Sequence, residues 1–411
     1  MTDKRTVLFL QGPISPFFSR IADRLEAAGS RAIRVNISPG DALIWRRPGG
    51  IPFRGRLEAW PRFIGDLIER EQVTDLVLLG EQRDYHRIAI EKARAFGANV
   101  IATDFGYIRP DWTTFELDGM TGASRFPKSP AAIRELARRS PSVTLEPPAF
   151  RDKFWQMAAR DIVYNVTNSL FWFLYPHYRT HQVDHPILTY AGTGWRLLNA
   201  DRRQQEAARE AEEAEKRSAD TFLFPLQIAR DYSIRAYSKY RDLQTPIREI
   251  IQSFAKHAAD DATLIVKIHP LDPGLTNWRR IVGAVAAANG VENRVRFIDG
   301  GDLARLIVAS KGVVLINSTV GIVSLQKGVP TLALGQAIYD VQGMTADCGL
   351  DAFWRAPPPP DMALVEDFVR ALAGAHMIRG TFYSEPGLSA GVEAATRKLL
   401  DGAVNQPMPA G

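Results

Sequence analysis

The chain has 411 residues, of which 45% are hydrophobic and 24% are charged, and its formal net charge is +5. This length accommodates two domains with full cores, and the composition is that of a globular protein. The excess of positive charge favours an anionic partner, whether a nucleotide, a lipid headgroup or a nucleic acid. The single cysteine, Cys348, excludes an internal disulfide and a cysteine-based zinc cluster, and it is typical of a reducing compartment.

Hydropathy along the chain argues against a leader or a membrane span. The N-terminal stretch MTDKRTVLFLQG has too short an apolar core for a signal peptide. No apolar run approaches the roughly 20 residues of a spanning helix. We therefore expect a cytoplasmic protein whose contact with a membrane, if there is one, is peripheral.

The first hundred residues alternate short apolar runs with helical periodicity. Four strands are predicted, with helices over Phe17–Ala28, Trp60–Arg70 and His86–Phe96 between them; the strands are Thr6–Leu10, Ala32–Ile37, Leu76–Leu79 and Asn99–Thr103. Such alternation predicts a parallel, Rossmann-like sheet. Neither GxGxxG nor GxxxxGK[ST] occurs, which weighs against dinucleotide and P-loop chemistry.

Polar side chains follow the ends of these predicted strands. They are Gln11, Asp41, Glu81, Arg83 and Asp104. Ligands of open parallel sheets bind beyond the carboxyl ends of the strands, so we expect these residues to line a sugar or acceptor site.

Residues 104–130 interrupt the alternation, and the sequence predicts a long loop there. Among its aromatics and glycines the loop carries Asp104, Arg109, Asp111, Glu116 and Asp118. Long structured loops in compact domains are often functional, and a carboxylate here is a candidate nucleophile or general base. Solvated loop charges are the alternative.

Phe150–Tyr178 has helical periodicity and many large aromatics, with arginine and lysine interspersed. Docking in a membrane interface and packing in a core both explain this pattern. The next segment, Asp201–Asp220, has mixed charge and almost no apolar face, which predicts a solvated spacer helix.

A second α/β pattern begins at Thr221. Its first strand ends at Gln227, a candidate for binding the sugar or the acceptor, and the strand Thr263–Ile268 delivers Lys267, His269 and Pro270 into the turn HPLDPG. A histidine at a strand end can contact a phosphate or a sugar hydroxyl, although a lone histidine is more often structural.

The stretch Val313–Gly335 predicts a buried strand, a polar turn, a helix and a further strand. Asn317, Ser318 and Thr319 form the turn, where the first N–H groups of the helix offer an anion site. A plain helix cap without a ligand is the alternative. His269 and Ser318 follow strands of the same predicted sheet, so they are expected to share one edge.

These patterns predict an α/β protein of the GT-B type, with two Rossmann-like domains facing each other across a cleft. The predicted divisions are an N-terminal domain over 1–200, the spacer over 201–220, a nucleotide-sugar-binding domain over 221–385, and a returning helix with a loose tail over 386–411. Two such domains without a P-loop or dinucleotide fingerprint suggest a glycosyltransferase that uses a sugar nucleotide and no metal.

Eight short motifs, in order, resemble the capsular polysaccharide synthesis and export family. They are QGPISPFF (11–18), GD (40–41), GEQRDYH (80–86), GYIRPDWTTFE (106–116), FPLQ (224–227), SFAKHA (253–258), KIHPLDPG (267–274) and NSTVGIVSLQKGVPTLALGQAIYD (317–340). Each motif is weak by itself, but eight in the right order are specific. The resemblance covers nearly all of residues 6–385.

The resemblance implies a transferase of Kdo (3-deoxy-D-manno-octulosonic acid) that uses CMP-Kdo. It implies CMP binding at His269-Pro270 and at Asn317, Ser318 and Thr319, with Lys267 beside them. The family's glutamate before Gly-Tyr is Asp104 here, and its Gly-Val-Asn after the loop glutamate is Gly119-Met120-Thr121. Retention of configuration, also implied, calls for a carboxylate nucleophile; Glu116 is the first candidate and Asp104 the second. Arg83 or Arg109 is expected to hold the Kdo carboxylate.

The implied acceptor is phosphatidylglycerol or its lyso form at the inner leaflet, where the protein would add the first β-Kdo of a linker within the capsule biosynthesis and export machinery. No cofactor, metal or nucleic acid is expected. Two alternatives remain: a non-catalytic subunit that binds lipid-linked polysaccharide, and a two-domain sugar-nucleotide epimerase.

Overall fold

The fold is described from a computed structural model that covers residues 4–180, 186–216, 219–229 and 231–407. It consists of two compact units. Unit 1 comprises Met1–Pro127, Ile133–His181 and Val369–Gly411, and unit 2 comprises Lys128–Ala132 and Gln182–Phe368. Among the described residues, 186–200 thus belong with unit 2 and 369–385 with unit 1, whereas the sequence analysis assigned them to the other domains. The predicted cleft stays a prediction.

Twelve elements occur in the N-terminal part of the chain. They are β1 (Thr6–Phe9), α1 (Phe17–Ala27), β2 (Arg31–Asn36), α2 (Pro39–Trp45), β3 (Ile51–Pro52), α3 (Trp60–Arg70), β4 (Asp75–Leu79), α4 (Asp84–Ala95), β5 (Asn99–Phe105), β6 (Trp112–Leu117), α5 (Pro130–Arg139) and α6 (Phe154–Leu170). Short 3₁₀ turns occupy Leu57–Ala59, Thr121–Ala123 and Trp172–Leu174.

The remaining elements follow in chain order. They are α7 (Pro186–Leu198), α8 (Ala200–Lys216), β7 (Thr221–Pro225), α9 (Tyr232–Tyr237), α10 (Gln244–His257), β8 (Thr263–Lys267), α11 (Trp278–Ala288), β9 (Val295–Ile298), α12 (Leu303–Val308), β10 (Gly312–Leu315), α13 (Val320–Gln326), β11 (Thr331–Ala333), α14 (Gly349–Phe353), α15 (Met362–Ala371), a π-helix (Leu372–His376), β12 (Met377–Arg379) and α16 (Gly387–Leu400).

The sheet of unit 1 has the order β12-β6-β5-β4-β1-β2-β3. The pairs among β1 to β5 are parallel, as predicted, whereas β6 is antiparallel to both β5 and β12. The core contains Phe17, Leu25 and Phe115, and helix α16 adds Val392 and Leu399. The chain therefore returns to unit 1 at its C-terminal end, where the sequence predicted a returning helix.

The prediction of a long loop over 104–130 is wrong. Strand β5 continues to Phe105, and β6 then runs back along it with Ala102 opposite Glu116 and Asp104 opposite Thr114. The segment WTTFEL is rich in aromatic and β-branched residues, which favour strands. Its buried residues include Thr113 and Thr114, so its polarity hid a strand that is almost fully buried.

The sheet of unit 2 has five strands in the order β11-β10-β7-β8-β9, and all of its pairs are parallel. The predicted α/β class with Rossmann-like parallel sheets is therefore confirmed. The charged helix α8 is not solvated throughout, because Ala207, Ala211 and Ala214 are buried along one side. Small residues at spacings of four and three let a polar helix lie close to its neighbours without a large apolar face.

Candidate functional site

In unit 1, the predicted residues Gln11 and Asp41 meet just beyond the ends of β1 and β2. The Gln11 amide donates to the Asp41 carboxylate at 3.2 Å and to the hydroxyls of Tyr164 and Tyr178 at 3.1 and 3.3 Å. Both tyrosines come from the aromatic stretch, which brings α6 over this edge of the sheet. Their polar role was not predicted, because the aromatic pattern of this stretch indicates only core or lipid-facing groups.

Hydrogen bonds to the backbone and a nearby guanidinium hold Asp41 in place. Its carboxylate accepts from the backbone N–H groups of Ile37 and Ser38 at 3.1 Å, which completes a capping box at the start of α2. The buried guanidinium of Arg34 lies 3.6 Å away. Burial lowers the pKa of Arg34, and the charge of Asp41 opposes that effect. The position of Asp41 is therefore fixed, and its remaining contacts with Gln11 and Tyr164 orient those side chains. We name Gln11, Asp41, Tyr164 and Tyr178 the Gln11 cluster.

Glu81 and Arg83 follow the end of β4. Glu81 is buried and Arg83 is half-buried, directly before α4. Burial raises the pKa of the Tyr164 and Tyr178 hydroxyls. The positive charge of Arg83 opposes this shift, because it favours the ionised phenol. Arg83 thus shares the electrostatic environment of the Gln11 cluster.

His86 is a buried residue close to Arg83 that the sequence did not single out, although it ends the motif GEQRDYH. Its Nδ1 lies 2.9 Å from the carbonyl oxygen of Gly80, while its Nε2 is buried without a hydrogen-bond partner. Burial, reinforced by the charge of Arg83, lowers the pKa of His86 to about 3. The imidazole is therefore neutral at physiological pH, and Nδ1 carries the proton that it donates to Gly80.

Asp104 and Glu116 lie on the same face of the β5–β6 hairpin, because paired residues and alternate residues point to one side. They differ in depth. Asp104 is half-buried near the carboxyl end of β5, where its Oδ1 accepts from the N–H of Phe105 at 2.7 Å. The guanidinium of the predicted Kdo-binding residue Arg109 lies 5.3 Å from the ring centre of Phe105, the residue that follows Asp104 in β5.

Glu116 does not overhang an open edge as predicted. Because β6 is antiparallel, a residue late in that strand is carried back along β5, and Glu116 is 0% exposed. Its Oε1 accepts from the hydroxyl of Tyr107 at 2.6 Å; its Oε2 accepts from Ser124 and lies 3.0 Å from Nδ1 of His376. Burial and the charge of Glu116 raise the pKa of Tyr107 well above its usual value, so this phenol stays a donor.

His376 is the second residue that sequence reasoning missed. It is buried at the end of the π-helix, 260 residues from Glu116 along the chain, and its ring packs edge-on against Phe126. No local motif marks it. The pairing of β12 with β6 brings the two side chains together.

In unit 2, the predicted residues Gln227 and Asn317 form a reciprocal amide pair at the ends of β7 and β10. Gln227 Nε2 donates to Asn317 Oδ1 at 3.0 Å, and the backbone N–H of Asn317 donates to Gln227 Oε1 at 3.2 Å. Ser233 adds its hydroxyl to the same Asn317 oxygen at 3.3 Å. Both amides are buried, so this pair shapes the turn after β10.

Lys267 and His269 lie at the end of β8, beside β7 in the sheet. The Lys267 ammonium is buried and donates to the carbonyl oxygen of Gly300 at 2.5 Å; burial lowers its pKa, and the charge of Asp299 opposes this effect. His269 is half-buried, and its Nδ1 accepts from the N–H of Leu271 at 3.1 Å. The adjoining Pro270 is exposed.

Ser318 and Thr319 follow Asn317 and are half-buried. Thr319 is the N-cap of α13 but makes no side-chain capping bond, whereas Ser318 Oγ accepts from the N–H of Val320 at 3.3 Å. The Ser318 carbonyl accepts from the hydroxyl of Tyr339 at 2.6 Å. Because β10, β7 and β8 are adjacent, His269 and residues 317–319 share one sheet edge, as expected, and Gln227 and Lys267 lie at the same edge.

The described part of the chain also bears on two other kinds of site, a metal centre and a membrane span. No group of three or more His, Cys, Asp or Glu side chains there is placed to hold a metal ion. In the same residues, no helix has both the length and the apolar character needed to cross a bilayer.

Comparison with known protein families identifies the family of this chain. The profile of the capsule polysaccharide biosynthesis protein family matches residues 74–383, well over half of the chain. The chain belongs to this family. Its match includes Glu81, Arg83, the β5–β6 hairpin and the whole edge of unit 2.

Curated relatives match this family member over nearly its full length. The capsule polysaccharide modification protein LipB of Neisseria meningitidis serogroup A is 29% identical over 92% of both chains. The capsule polysaccharide export protein KpsS of Escherichia coli is 28% identical over 92% of this chain and 96% of its own.

Among solved structures, this family member is similar to Thermosulfurimonas dismutans KpsC, beta Kdo 2,7 transferase. The TM-score is 0.45 at 12% identity, over 96% of this chain and 99% of the other. The beta Kdo 2,4 transferase of the same KpsC has a TM-score of 0.40 at 13% identity, over 92% of each chain.

Proposed function

We infer that this protein is a glycosyltransferase that takes Kdo from CMP-Kdo and transfers it, with retention, to a phosphatidylglycerol-type lipid, the first step of a capsule linker. The observation that carries the proposal is the shared edge of β10, β7 and β8 in unit 2. There Gln227, Lys267, His269 and Ser318 come together in a family member devoted to capsule polysaccharide.

The edge of unit 2 has the chemistry needed to bind CMP. Lys267 supplies positive charge near the phosphate, and His269 presents a half-buried ring at a strand end. CMP leaves with the bonding electron pair on its phosphate, so cationic and N–H groups at this edge stabilise the charge that develops. The reciprocal pair of Gln227 and Asn317 holds the turn that presents Ser318 and Thr319.

The two candidate carboxylates, Asp104 and Glu116, both belong to unit 1. In a retaining transfer, a carboxylate oxygen bonds to the anomeric carbon as CMP departs with the bonding electron pair. The oxygen of the acceptor hydroxyl then bonds to that carbon, the carboxylate leaves with its electron pair, and the hydroxyl proton passes to the released carboxylate or to solvent. We rank Asp104 above Glu116 for this role, reversing the order that the sequence favoured. Asp104 is half-buried at the strand end, whereas both oxygens of the fully buried Glu116 accept hydrogen bonds.

The test combines the purified protein with CMP-Kdo and a short-chain phosphatidylglycerol. We expect CMP release that depends on the acceptor, and a lipid product heavier by one Kdo in the mass spectrum. If the protein binds CMP-Kdo but releases no CMP in the presence of both substrates, the non-catalytic subunit is favoured. An isomerised sugar nucleotide without acceptor would favour an epimerase.

A further inference from the structure

Helix α6 and the turn that follows it present apolar side chains outward. Trp155, Leu170, Trp172 and Phe173 are 64, 64, 62 and 58% exposed. Further exposed apolar residues lie in the same segment; they are Phe154, Ile162, Val163, Val166, Phe171 and Leu174. We name residues 154–174 the α6 surface. Core packing, one of the two explanations of this aromatic stretch, therefore does not account for these side chains.

The helix is amphipathic, but its polar side faces the protein and its apolar side faces outward. Its inward side is polar, with Tyr164 bonded to Asp41 and Asn168 accepting from the N–H of Gly40 at 2.7 Å. On the opposite side, Trp155, Ile162 and Val166 recur at spacings of seven and four residues, which places them on one face. A soluble surface helix has the opposite pattern, so the outward face calls for an apolar partner.

The charges around the α6 surface indicate which partner. Between residues 151 and 180 the exposed charged side chains are Arg151, Lys153 and Arg179, all basic, although Arg179 also pairs with the exposed Glu58 at 3.1 Å; the acids Asp152 and Asp161 are half-buried. The carboxylate of Asp152 accepts from the backbone of Tyr383 and Ser384. Tryptophan and phenylalanine flanked by basic residues suit the headgroup region of an anionic bilayer.

We propose that the α6 surface docks this protein onto an anionic phospholipid bilayer, with Trp155, Leu170, Trp172 and Phe173 in the interface. Tyr164, on the inward face of the same helix, holds Gln11 and Asp41 at the carboxyl edge of unit 1. Docking would place that edge next to the membrane. The lipid acceptor, which gives docking its purpose, rests on the proposed function; the docking itself is measured without transfer.

The experiment is co-sedimentation with phosphatidylcholine vesicles, with and without phosphatidylglycerol. We expect binding that requires the anionic lipid and weakens with salt. The double variant Trp172→Ser/Phe173→Ser should bind vesicles about ten-fold more weakly or worse, because two exposed aromatics no longer enter the interface. Its thermal unfolding and CMP binding should match the wild type, since neither side chain is buried.

The matched control is Trp195→Ser/Phe96→Ser, which also removes one exposed tryptophan and one exposed phenylalanine but lies outside the α6 surface. It should bind vesicles as the wild type does. Equal binding by both double variants, or wild-type binding to neutral vesicles alone, would overturn the proposal. So would a wild-type dimer that Trp172→Ser/Phe173→Ser converts to a monomer, because the surface would then serve a second copy. Transfer to a detergent-dispersed acceptor without vesicle binding would reject docking and retain the transferase.

Discussion

Asp104 and Glu116 show how little the identity of a residue says about its role. Both are carboxylates on one face of the β5–β6 hairpin, yet one is half-buried near a strand end and the other accepts hydrogen bonds on both oxygens in the interior. A fully occupied, buried carboxylate holds structure together, because each of its donors would otherwise be buried without a partner.

Substitutions of these two residues should therefore have different effects, on transfer for Asp104 and on stability for Glu116. Asp104→Asn should keep the fold and CMP binding and lose transfer by roughly 10³-fold or more, as loss of a reacting group does. Glu116→Gln should lower the free energy of unfolding by about 1–3 kcal/mol, because its NH₂ group then faces a donor such as Ser124 or His376. Activity assays and urea unfolding measure these effects.

The exposed Glu135→Gln serves as control and should change neither quantity. Near-normal transfer by Asp104→Asn together with a stable, inactive Glu116→Gln would restore Glu116 as the nucleophile. Near-normal transfer by both variants would remove the hairpin from the chemistry.

His86 should make stability depend on pH. Its pKa in the folded state is about 3, below the ordinary value of 6.5, so the unfolded chain binds the proton more readily. The contribution of neutral His86 to the free energy of unfolding is fully present above pH 6.5. It decreases as the pH falls toward 3, by at most about 1.4 kcal/mol per pH unit. We expect the stability gap between wild type and His86→Asn to narrow from pH 7 to pH 4 in urea unfolding. A gap independent of pH would contradict this assignment.

At the scale of elements, the contact between α2 and α6 decides where the Gln11 cluster forms. A Cβ at Gly40 would lie 2.4 Å from the ring of Tyr164, which is closer than atoms approach. A glycine in a helix interior ordinarily weakens the helix relative to alanine. Here it is the residue that lets α6 approach closely enough for Tyr164 to reach Gln11 and Asp41.

Gly40→Ala should accordingly lower the free energy of unfolding by about 1–3 kcal/mol through overpacking. Gly65→Ala is the matched control within unit 1, because a Cβ there meets Lys92 at an ordinary 3.6 Å. That variant should be neutral or stabilising by up to about 1 kcal/mol. If both substitutions have the same effect in thermal and urea unfolding, the close approach of α6 does not matter for stability.

At the scale of the whole molecule, each unit has a hydrophobic core of its own. We expect calorimetry to resolve two unfolding transitions. A ligand stabilises the state that binds it by RT ln(1 + [L]/Kd), about 2.7 kcal/mol at 100 times Kd. CMP should therefore raise the transition of unit 2, which contains Lys267 and His269, and leave the other in place.

His269→Ala should reduce that shift without moving either transition in the absence of CMP. The comparison variant is His177→Ala, an exposed histidine of unit 1, which should respond to CMP as the wild type does. An undiminished shift in His269→Ala would remove this histidine from the CMP site.

The sequence by itself determined the alternation of strands and helices and the edge of unit 2. Both depend on local signals: apolar runs of strand length, polar turns at their ends, and the rule that parallel strands share a carboxyl edge. Lys267, His269 and Asn317 could be grouped for that reason. The sequence also contained the exposed aromatics of α6, but their periodicity did not say which face would turn outward.

Only the tertiary structure decided the depth and the partners of the candidate groups. Strand β6 runs antiparallel in an otherwise parallel pattern, and this reversal carried Glu116 inward and left Asp104 near the edge. His376 reached Glu116 across 260 residues through the pairing of β12 with β6. Hydrogen bonds between residues so far apart follow from strand order and packing, and no local pattern of residues encodes them.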